Sequence, residues 1–331
     1  MSTAAAAASA APKPSFAAAA GQQAAPARWA VIGSFAIVYL VWGSTFLGIR
    51  VAVETISPLT MSAIHFLIAG TVLMLAASRV RPRPTLRQWG NAVIIGGLFF
   101  LFNHGFVSSA ARHIPSSLTC LIIATEVPII ALLSSVLLKN QPLTRRGLFG
   151  AALGLCGVAV LFAGQGQGSS TASVLACLAV LGASFSWGLG AVLSQRLDLP
   201  SDALLRAAMQ MISGGVLLMG ATFVRGEPAF ELAAVSSRSL IALAYLIVFG
   251  SVITFVCYSF LLKHVRTDAV ATHVFVNPLV AVAVGAWLGN EQLMPVHLLA
   301  GLFILGSVCV ITLGQPRRAA VGVRPAMKSD T

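Results

Sequence analysis

The sequence predicts an all-α polytopic membrane protein with ten transmembrane helices, arranged as two inverted repeats of five. Three observations predict this fold. The 331 residues are 57% hydrophobic and only 9% charged, with a mean hydropathy of +0.90, and a soluble domain of this size carries many more charges. The chain contains apolar runs of about 20 residues, the length that a spanning helix needs. Matching residues also recur in its two halves.

The first 28 residues are rich in alanine and proline and carry only Lys13 and Arg28 as charges. A secretory signal would begin with a basic segment, so this stretch is interpreted as a disordered cytoplasmic tail. The predicted helices follow at 29–50, 58–79, 88–110, 115–138, 145–163, 171–195, 202–224, 239–262, 267–288 and 296–314. The first repeat is thus 29–163, the second is 171–314, and 315–331 forms a basic cytoplasmic tail.

Lysine and arginine residues predict the orientation, because they collect on the cytoplasmic side of a membrane protein. With the N-terminus in the cytoplasm, only four of the 21 lie outside, namely Arg50, Arg112, Arg225 and Arg238. Both termini are therefore predicted to be cytoplasmic. The same distribution explains the formal charge of +12 without nucleic acid, since the basic residues occupy short links between apolar runs.

The two halves share several features. Pro128 in the fourth helix matches Pro278 in the ninth, and Trp42 matches Trp187, each followed by glycine. Five helices per half is an odd number, so the second copy must enter the membrane in the opposite direction. Inverted repeats with helices interrupted by proline or glycine are typical of secondary transporters, whose substrates bind near the midplane.

These residues also resemble a known family. Trp42-Gly43-Ser44-Thr45-Phe46, Ile56-Ser57-Pro58-Leu59-Thr60, the Pro128 and Pro278 helices and Leu288-Gly289-Asn290-Glu291 together resemble the EamA-type transporters of the drug/metabolite transporter superfamily. The resemblance implies ten helices in two inverted EamA repeats, export of small metabolites or drugs across the bacterial inner membrane, no bound cofactor and, commonly, exchange against protons.

The sequence departs from the family pattern at three places. His65 stands where such proteins often carry an arginine, and Leu138-Lys139-Asn140 replaces the frequent Leu-Gly-Glu ending of the first repeat. Glu126 is not a general family residue. The resemblance therefore implies transport but not the identity of the substrate.

Glu126 is the first candidate site residue, because an ionisable group within a membrane helix is costly and usually functional. It could carry a proton, bind an amine directly, or only pair with a neighbouring helix. Pro128 lacks a backbone N–H and is expected to break the helix beside it, as Pro278 is in the ninth helix.

Further candidates are polar or aromatic residues within predicted helices. They are His65, Asn103, His104, Trp42, Trp187, Tyr258, His273 and Asn277. Histidine titrates near physiological pH, and aromatic faces attract cations. Each could equally serve helix packing, through interhelical hydrogen bonds or contacts with small neighbours.

The resulting hypothesis is a secondary transporter that exports amino-acid-like or cationic metabolites by alternating access, with protons and the lipid bilayer as its other partners. The alternatives are an intramembrane enzyme acting on lipid-linked substrates and a passive channel. The histidines lack the H-x-x-x-H spacing of a helical metal site, so no metal is expected. A homodimer is compatible with the small-residue helix faces.

Overall fold

The structure of the protein is a computed structural model, and it describes residues 26–138, 144–163, 170–228, 230–292 and 294–313. Within these ranges nine helices are long and apolar enough to cross a membrane, and the shorter apolar helix His273–Leu288 occupies the ninth predicted place. The all-helical fold is therefore confirmed. Residues 1–25 of the predicted N-terminal tail, the basic tail 315–331 and Lys139 and Asn140 lie outside the described residues.

The ten helices are numbered α1 to α10 along the chain. Their bounds are Arg28–Ala52, Pro58–Ala76, Leu86–Ala110, Ser116–Leu137, Arg145–Ala163, Thr171–Leu193, Ala203–Arg225, Ser237–His264, Thr267–Leu288 and Pro295–Leu313. A short 3₁₀ turn, Leu232–Ala234, lies in the link before α8.

Two of these helices are interrupted. Helix α4 consists of α4a, Ser116–Ile123, and α4b, Glu126–Leu137, while α9 consists of α9a, Thr267–Val270, and α9b, His273–Leu288. Breaks in these helices were predicted at Pro128 and Pro278, whereas both interruptions fall at an earlier Ala-Thr pair. Their backbone therefore leaves helical geometry in the middle of the bundle.

Many large apolar side chains of the described residues lie on the outside of the bundle. Leu86, Val224 and Trp287 are each about 90% exposed, whereas buried positions include His65 and Asn103. A soluble protein shows the reverse arrangement. A surface of this kind is stable only when lipid surrounds it, as expected for a multi-pass membrane protein.

Equivalent helices of the two halves pack against each other. Helix α2 pairs closely with α7, and α5 pairs with α10. Small residues allow these approaches, as between α5 and α10, where a Cβ on Gly157 would lie 2.9 Å from the Ala300 carbonyl oxygen. Close packing of small residues is a main source of helix association in membranes.

The contact of α3 with α7 yields a stability prediction. A Cβ on Gly96 would lie 2.4 Å from the Gln210 carbonyl oxygen and 2.9 Å from the Gly214 nitrogen. Because backbone atoms cannot rotate away, we expect Gly96→Ala to lower the free energy of unfolding by about 1–3 kcal/mol. Unfolding followed by circular dichroism during titration with a denaturing detergent measures this loss.

Gly90 in the same helix is the matched control, because no atom lies within 4 Å of a Cβ built there. Gly90→Ala should be neutral or stabilising by roughly 0.5–1 kcal/mol, since alanine loses less backbone entropy than glycine in a helix. Equal shifts in the two variants would contradict the contact between α3 and α7.

Two glutamates of the second repeat close one end of the bundle, hereafter the capped end. Glu227 accepts hydrogen bonds from the Leu59 and Thr60 backbone N–H groups at the start of α2, at 3.2 and 3.0 Å. Glu291 accepts hydrogen bonds from Ser116 and Ser117 at the start of α4a, at 2.8 and 3.0 Å. Each carboxylate thus satisfies helix N–H groups that have no partner within their own helix.

Arg50 at the end of α1 completes the capped end by forming an ion pair with Glu291. The Glu291 side chain is 1% exposed, whereas that of Arg50 is 38% exposed. A single carboxylate therefore joins α1, α4a and the link after α9b. By the predicted orientation, the capped end faces the outside of the cell.

Candidate functional site

The helices enclose a cavity of about 210 Å³. Its wall is built by α1, α2, α3, α4, α6, α8 and α9, so both halves contribute. Glu126 and His273 lie on this wall, each as the first residue after a helix interruption. The described part of the chain places the cavity inside the bundle, between the two repeats.

The two interruptions have the same local construction. Ala124-Thr125 precedes Glu126, and Ala271-Thr272 precedes His273. The Thr125 hydroxyl donates to the Ile122 carbonyl at 2.7 Å, and the Thr272 hydroxyl donates to the Ala269 carbonyl at 2.5 Å. These side-chain bonds to the preceding turn compete with the helical pattern and place an ionisable residue at the start of each following helix.

The two predicted helix-breaking prolines differ in their positions. Pro128 lies in the first turn of α4b, where a missing N–H removes no helical bond. Pro278 lies inside α9b, which continues through it, and the interruption of α9 precedes it at 271–272.

The third helix of each repeat contains a π-helical segment beside the cavity. The segments are Gly97–His104 in α3 and Leu246–Ile253 in α8. Such segments are rare and are often found at functional sites. The Ser186 hydroxyl donates to the Leu98 carbonyl at 2.8 Å, and the Trp42 indole N–H donates to the Gly250 carbonyl at 3.1 Å. Equivalent helices α6 and α1 thus hydrogen-bond to the two irregular segments.

Among the described residues, Glu126 is the one carboxylate on the cavity wall. The Asn103 amide donates to its Oε1 at 3.3 Å and to the Ala183 carbonyl at 2.9 Å. Both hydrogens of that amide are therefore used, and its orientation is fixed. In the part of the chain that the structure describes, no lysine or arginine lines the cavity, so no cationic side chain of these residues lies beside Glu126 there.

Three histidines also line the cavity. His65 Nε2 lies 2.9 Å from the Ser251 hydroxyl, and its ring stacks on Phe66 at 4.3 Å between centroids. His104 meets the edge of Phe66 at 4.6 Å. His273 Nδ1 lies 2.9 Å from the Val270 carbonyl, which can only accept, so Nδ1 carries a proton.

Aromatic rings form much of the remaining wall. Trp42 contacts His273 at 5.2 Å and Phe255 at 5.8 Å between centroids, while Trp187 stacks on Phe99 at 4.2 Å. Tyr258 packs behind Trp42 at 5.1 Å and is not among the lining residues. The cavity can therefore surround an apolar group and face it with aromatic rings.

Asn277 supplies a polar atom without a partner. Its Oδ1 is buried and accepts no hydrogen bond among the described residues, although the residue lines the cavity. A buried carbonyl oxygen without a donor costs free energy, and a bound molecule carrying an N–H or O–H group would satisfy it. No group of three or more histidine, cysteine or acidic residues in the described ranges could hold a metal ion.

A comparison with family models matches the chain to the EamA-like transporter family over residues 29–163 and 174–313. The chain belongs to the EamA-like transporter family. The predicted family is therefore confirmed, together with the two-repeat organisation of the helices.

Relatives of this EamA-like chain are named as transporters. It is 34% identical to the Escherichia coli K12 protein named uncharacterized inner membrane transporter YedA, over 86% of this chain and 91% of the relative. It is 24% identical to a Salmonella typhimurium protein named probable amino-acid metabolite efflux pump, over 86% and 95%.

The same fold occurs in a solved structure described only as crystal structure of protein. That chain superposes with a TM-score of 0.58 at 22% identity, covering 87% of this chain and 98% of the other. This likeness concerns the fold alone.

The structure brings eight of the nine polar and aromatic candidates of this EamA-like transporter to one cavity, with Tyr258 behind the wall. Sequence reasoning missed Thr45 and Ile49, although they lie three and seven residues after Trp42 and so share its helix face. It also missed Phe66, Phe100, Ser251 and Phe255. Ser251 gave no local signal, since its role depends on His65 of another helix.

Proposed function

We propose that this chain is a proton-coupled secondary transporter that exports small organic metabolites, amino-acid-like or cationic, by alternating access. The proposal rests on Glu126, because this residue places a carboxyl group at a helix interruption, inside a cavity between the two repeats. Ionisable residues in such positions mark proton and substrate pathways in transporters. A proton bound by Glu126 and a substrate bound beside it would compete for one site, and this competition links their movements.

The helix contacts support a cavity that is closed at the capped end. Helix α9b packs against α1, α4a and α10, whereas α4b packs against α5, α6 and α10, and α9a packs against α8. The two interrupted helices therefore meet at the capped end through α4a and α9b, where Glu291 joins them, while α4b and α9a at the other end have different packing partners. By the predicted orientation, the cavity faces the cytoplasm, the side from which an exporter takes its substrate.

The names of relatives support the direction and the location. The Salmonella relative is named as an efflux pump for amino-acid metabolites, and the Escherichia coli relative is named as an inner membrane transporter. We infer the same membrane for this chain, with both termini in the cytoplasm. The family and these names favour a transporter over an enzyme acting on lipid-linked substrates.

Reconstitution into proteoliposomes tests the proposal. We expect purified protein to accumulate solutes from a panel of amino acids and small amines against their gradients when a proton gradient is imposed. Addition of a proton ionophore should reduce accumulation to the level of protein-free vesicles.

Other results would overturn the proposal. Flux that follows the solute gradient and ignores the proton gradient would identify a passive channel. Chemical conversion of added lipids in detergent, without solute movement in vesicles, would identify an enzyme.

A further inference from the structure

We propose that the substrate is a compact organic cation, an amine with an apolar or aromatic body and no carboxylate. This inference rests on the proposed transport function and narrows its substrate class. It depends on the charges, the free hydrogen-bonding atoms, the aromatic wall and the volume of the cavity.

The charged groups of the wall favour a cation. Glu126 is the one acidic residue that lines the cavity, and no lysine or arginine lines it among the described residues. An amine would meet an opposite charge or a hydrogen-bond acceptor at Glu126. The carboxylate of an amino acid or of an organic acid would meet no cationic partner, and burial of an unpaired charge is costly.

Several unused hydrogen-bonding atoms of the wall are acceptors, beside the N–H groups of His104 and of the Asn277 amide. Asn277 Oδ1 is buried without a donor, and the Glu126 carboxyl keeps lone pairs beyond the one that accepts from Asn103. Because His273 Nδ1 is bonded to the Val270 carbonyl, its Nε2 is an acceptor in the neutral ring. An ammonium group carries three donors and no acceptor, so it complements this set. A carboxylate would add further acceptors.

The aromatic residues provide a surface for the body of such a cation. Trp42, Phe66, Phe100, Trp187 and Phe255 all line the cavity. Aromatic faces attract cations through their negative electrostatic potential, most strongly when water is excluded. The same rings favour an apolar body by burying its surface.

The volume limits the size of the substrate. The cavity holds about 210 Å³, below the roughly 300–1,000 Å³ of pockets that bind drug-sized molecules. An amine with a single aromatic ring fits this limit better than a large multi-ring drug. The cavity volume therefore favours a small amine.

The test uses three probes with the same phenyl body and different charges. These are 2-phenylethylamine, phenylalanine and 3-phenylpropanoate, whose binding to reconstituted protein can be followed by tryptophan fluorescence because Trp42 and Trp187 lie on the wall. We expect the amine to bind at least about tenfold more tightly than phenylalanine, a difference of about 1.4 kcal/mol. The acid should not bind. Equal or tighter binding of phenylalanine, or binding of none of the three, would overturn the inference.

Asn277 gives a more specific test. Asn277→Leu keeps a similar volume and removes the acceptor, so we expect the affinity for 2-phenylethylamine to fall about tenfold. Asn277→Asp keeps an acceptor oxygen and should bind the amine at least as well as Asn277→Leu does. Asn91→Leu is the matched control, since Asn91 donates to the Asp198 carbonyl away from the cavity. Unchanged affinity in a folded Asn277→Leu protein would contradict the role given to this oxygen.

Failure of this inference can be distinguished from failure of the proposed function. Proton-driven accumulation of phenylalanine, without preference for the amine, would support the proposed transport function and contradict the inference that the substrate is a cation without a carboxylate. Tight binding of the amine without its accumulation against a gradient would support the inferred ligand class and contradict proton-coupled transport.

Discussion

Glu126→Gln is expected to reduce proton-driven uphill accumulation of substrate to the level of protein-free vesicles. Glutamine has nearly the same shape and can still accept the hydrogen bond that Asn103 donates to Oε1 at 3.3 Å. It cannot bind and release a proton at physiological pH. The fold and the cavity should therefore remain, while the proton gradient no longer drives the cycle.

The measurement is accumulation in proteoliposomes under an imposed proton gradient, beside counterflow without a gradient. Counterflow should persist in Glu126→Gln, because exchange needs only movement of the loaded site. Glu126→Asp should recover part of the accumulation, since it restores a titrating group at a slightly different depth. Glu54→Gln at the capped end is the matched control and should resemble the wild type. Full accumulation in Glu126→Gln would show that Glu126 does not couple transport to protons.

Glu291→Ala should have the largest effect on stability among the acidic residues of the described chain. The change removes the acceptor of the Ser116 and Ser117 N–H groups and leaves Arg50 without its ion pair. We expect the free energy of unfolding to fall by a value on the order of 2–4 kcal/mol. This value combines the cost of a missing helix cap with only part of the cost of a broken buried ion pair, because Arg50 is partly exposed to solvent. Unfolding in mixed detergent micelles measures it.

Two other variants separate the cap from the ion pair. Arg50→Gln keeps the hydrogen bonds between Glu291 and α4a. It should therefore lower the free energy of unfolding less than Glu291→Ala does. Glu54→Ala breaks a pair with Arg238 in which the charged atoms are 3.7 Å apart and both side chains are exposed. Such pairs contribute about 0–1 kcal/mol. A loss in Arg50→Gln as large as that in Glu291→Ala would contradict the capping role.

The stability difference between the wild type and Glu291→Ala should depend on pH only in acid. Burial raises the pKa of Glu291, but the hydrogen bonds donated by Ser117 and Ser116 outweigh burial and hold that pKa below its ordinary value of 4.5. The stabilisation is therefore complete above the unfolded-state pKa and is lost as the pH falls through the folded-state pKa. Unfolding measured at pH 6, 7 and 8 should give one constant difference, and a difference that changes between these values would contradict this.

Local patterns predicted the helices and eight of the residues that line the cavity. Apolar runs that are long enough to cross a bilayer indicate transmembrane helices. Polar residues such as Asn103 and Glu126 are easily recognised within such runs. The interruption at Ala271-Thr272 was not predicted, because Pro278 is the stronger local helix breaker, whereas the chain leaves helical geometry where the Thr272 hydroxyl bonds to the preceding turn. The paired Ala-Thr sequences before Glu126 and His273 were the available signal.

Contacts between distant parts of the chain could not be predicted in this way. Glu291 was visible only as the last residue of a family-like motif, and its partners lie 174 to 241 residues away. The π-helical segments accept hydrogen bonds from other helices, such as the one from Trp42 to the Gly250 carbonyl. Such features require the packed bundle, and a periodic pattern in one segment does not encode them.

The capped end has a consequence for the biogenesis of the protein. The start of α4 lies in the half of the chain that is made first, yet the carboxylate that caps it is made 175 residues after Ser116. At about 5–20 residues per second, translation reaches Glu291 roughly 9–35 s after Ser116. During that interval the nascent first half lacks this cap, as it lacks the cap that Glu227 gives to α2. The hydrogen bonds at the start of α4 therefore form only after the ninth helix has been synthesised. A chain truncated before Glu291 would present an uncapped helix start to the quality-control machinery of the membrane.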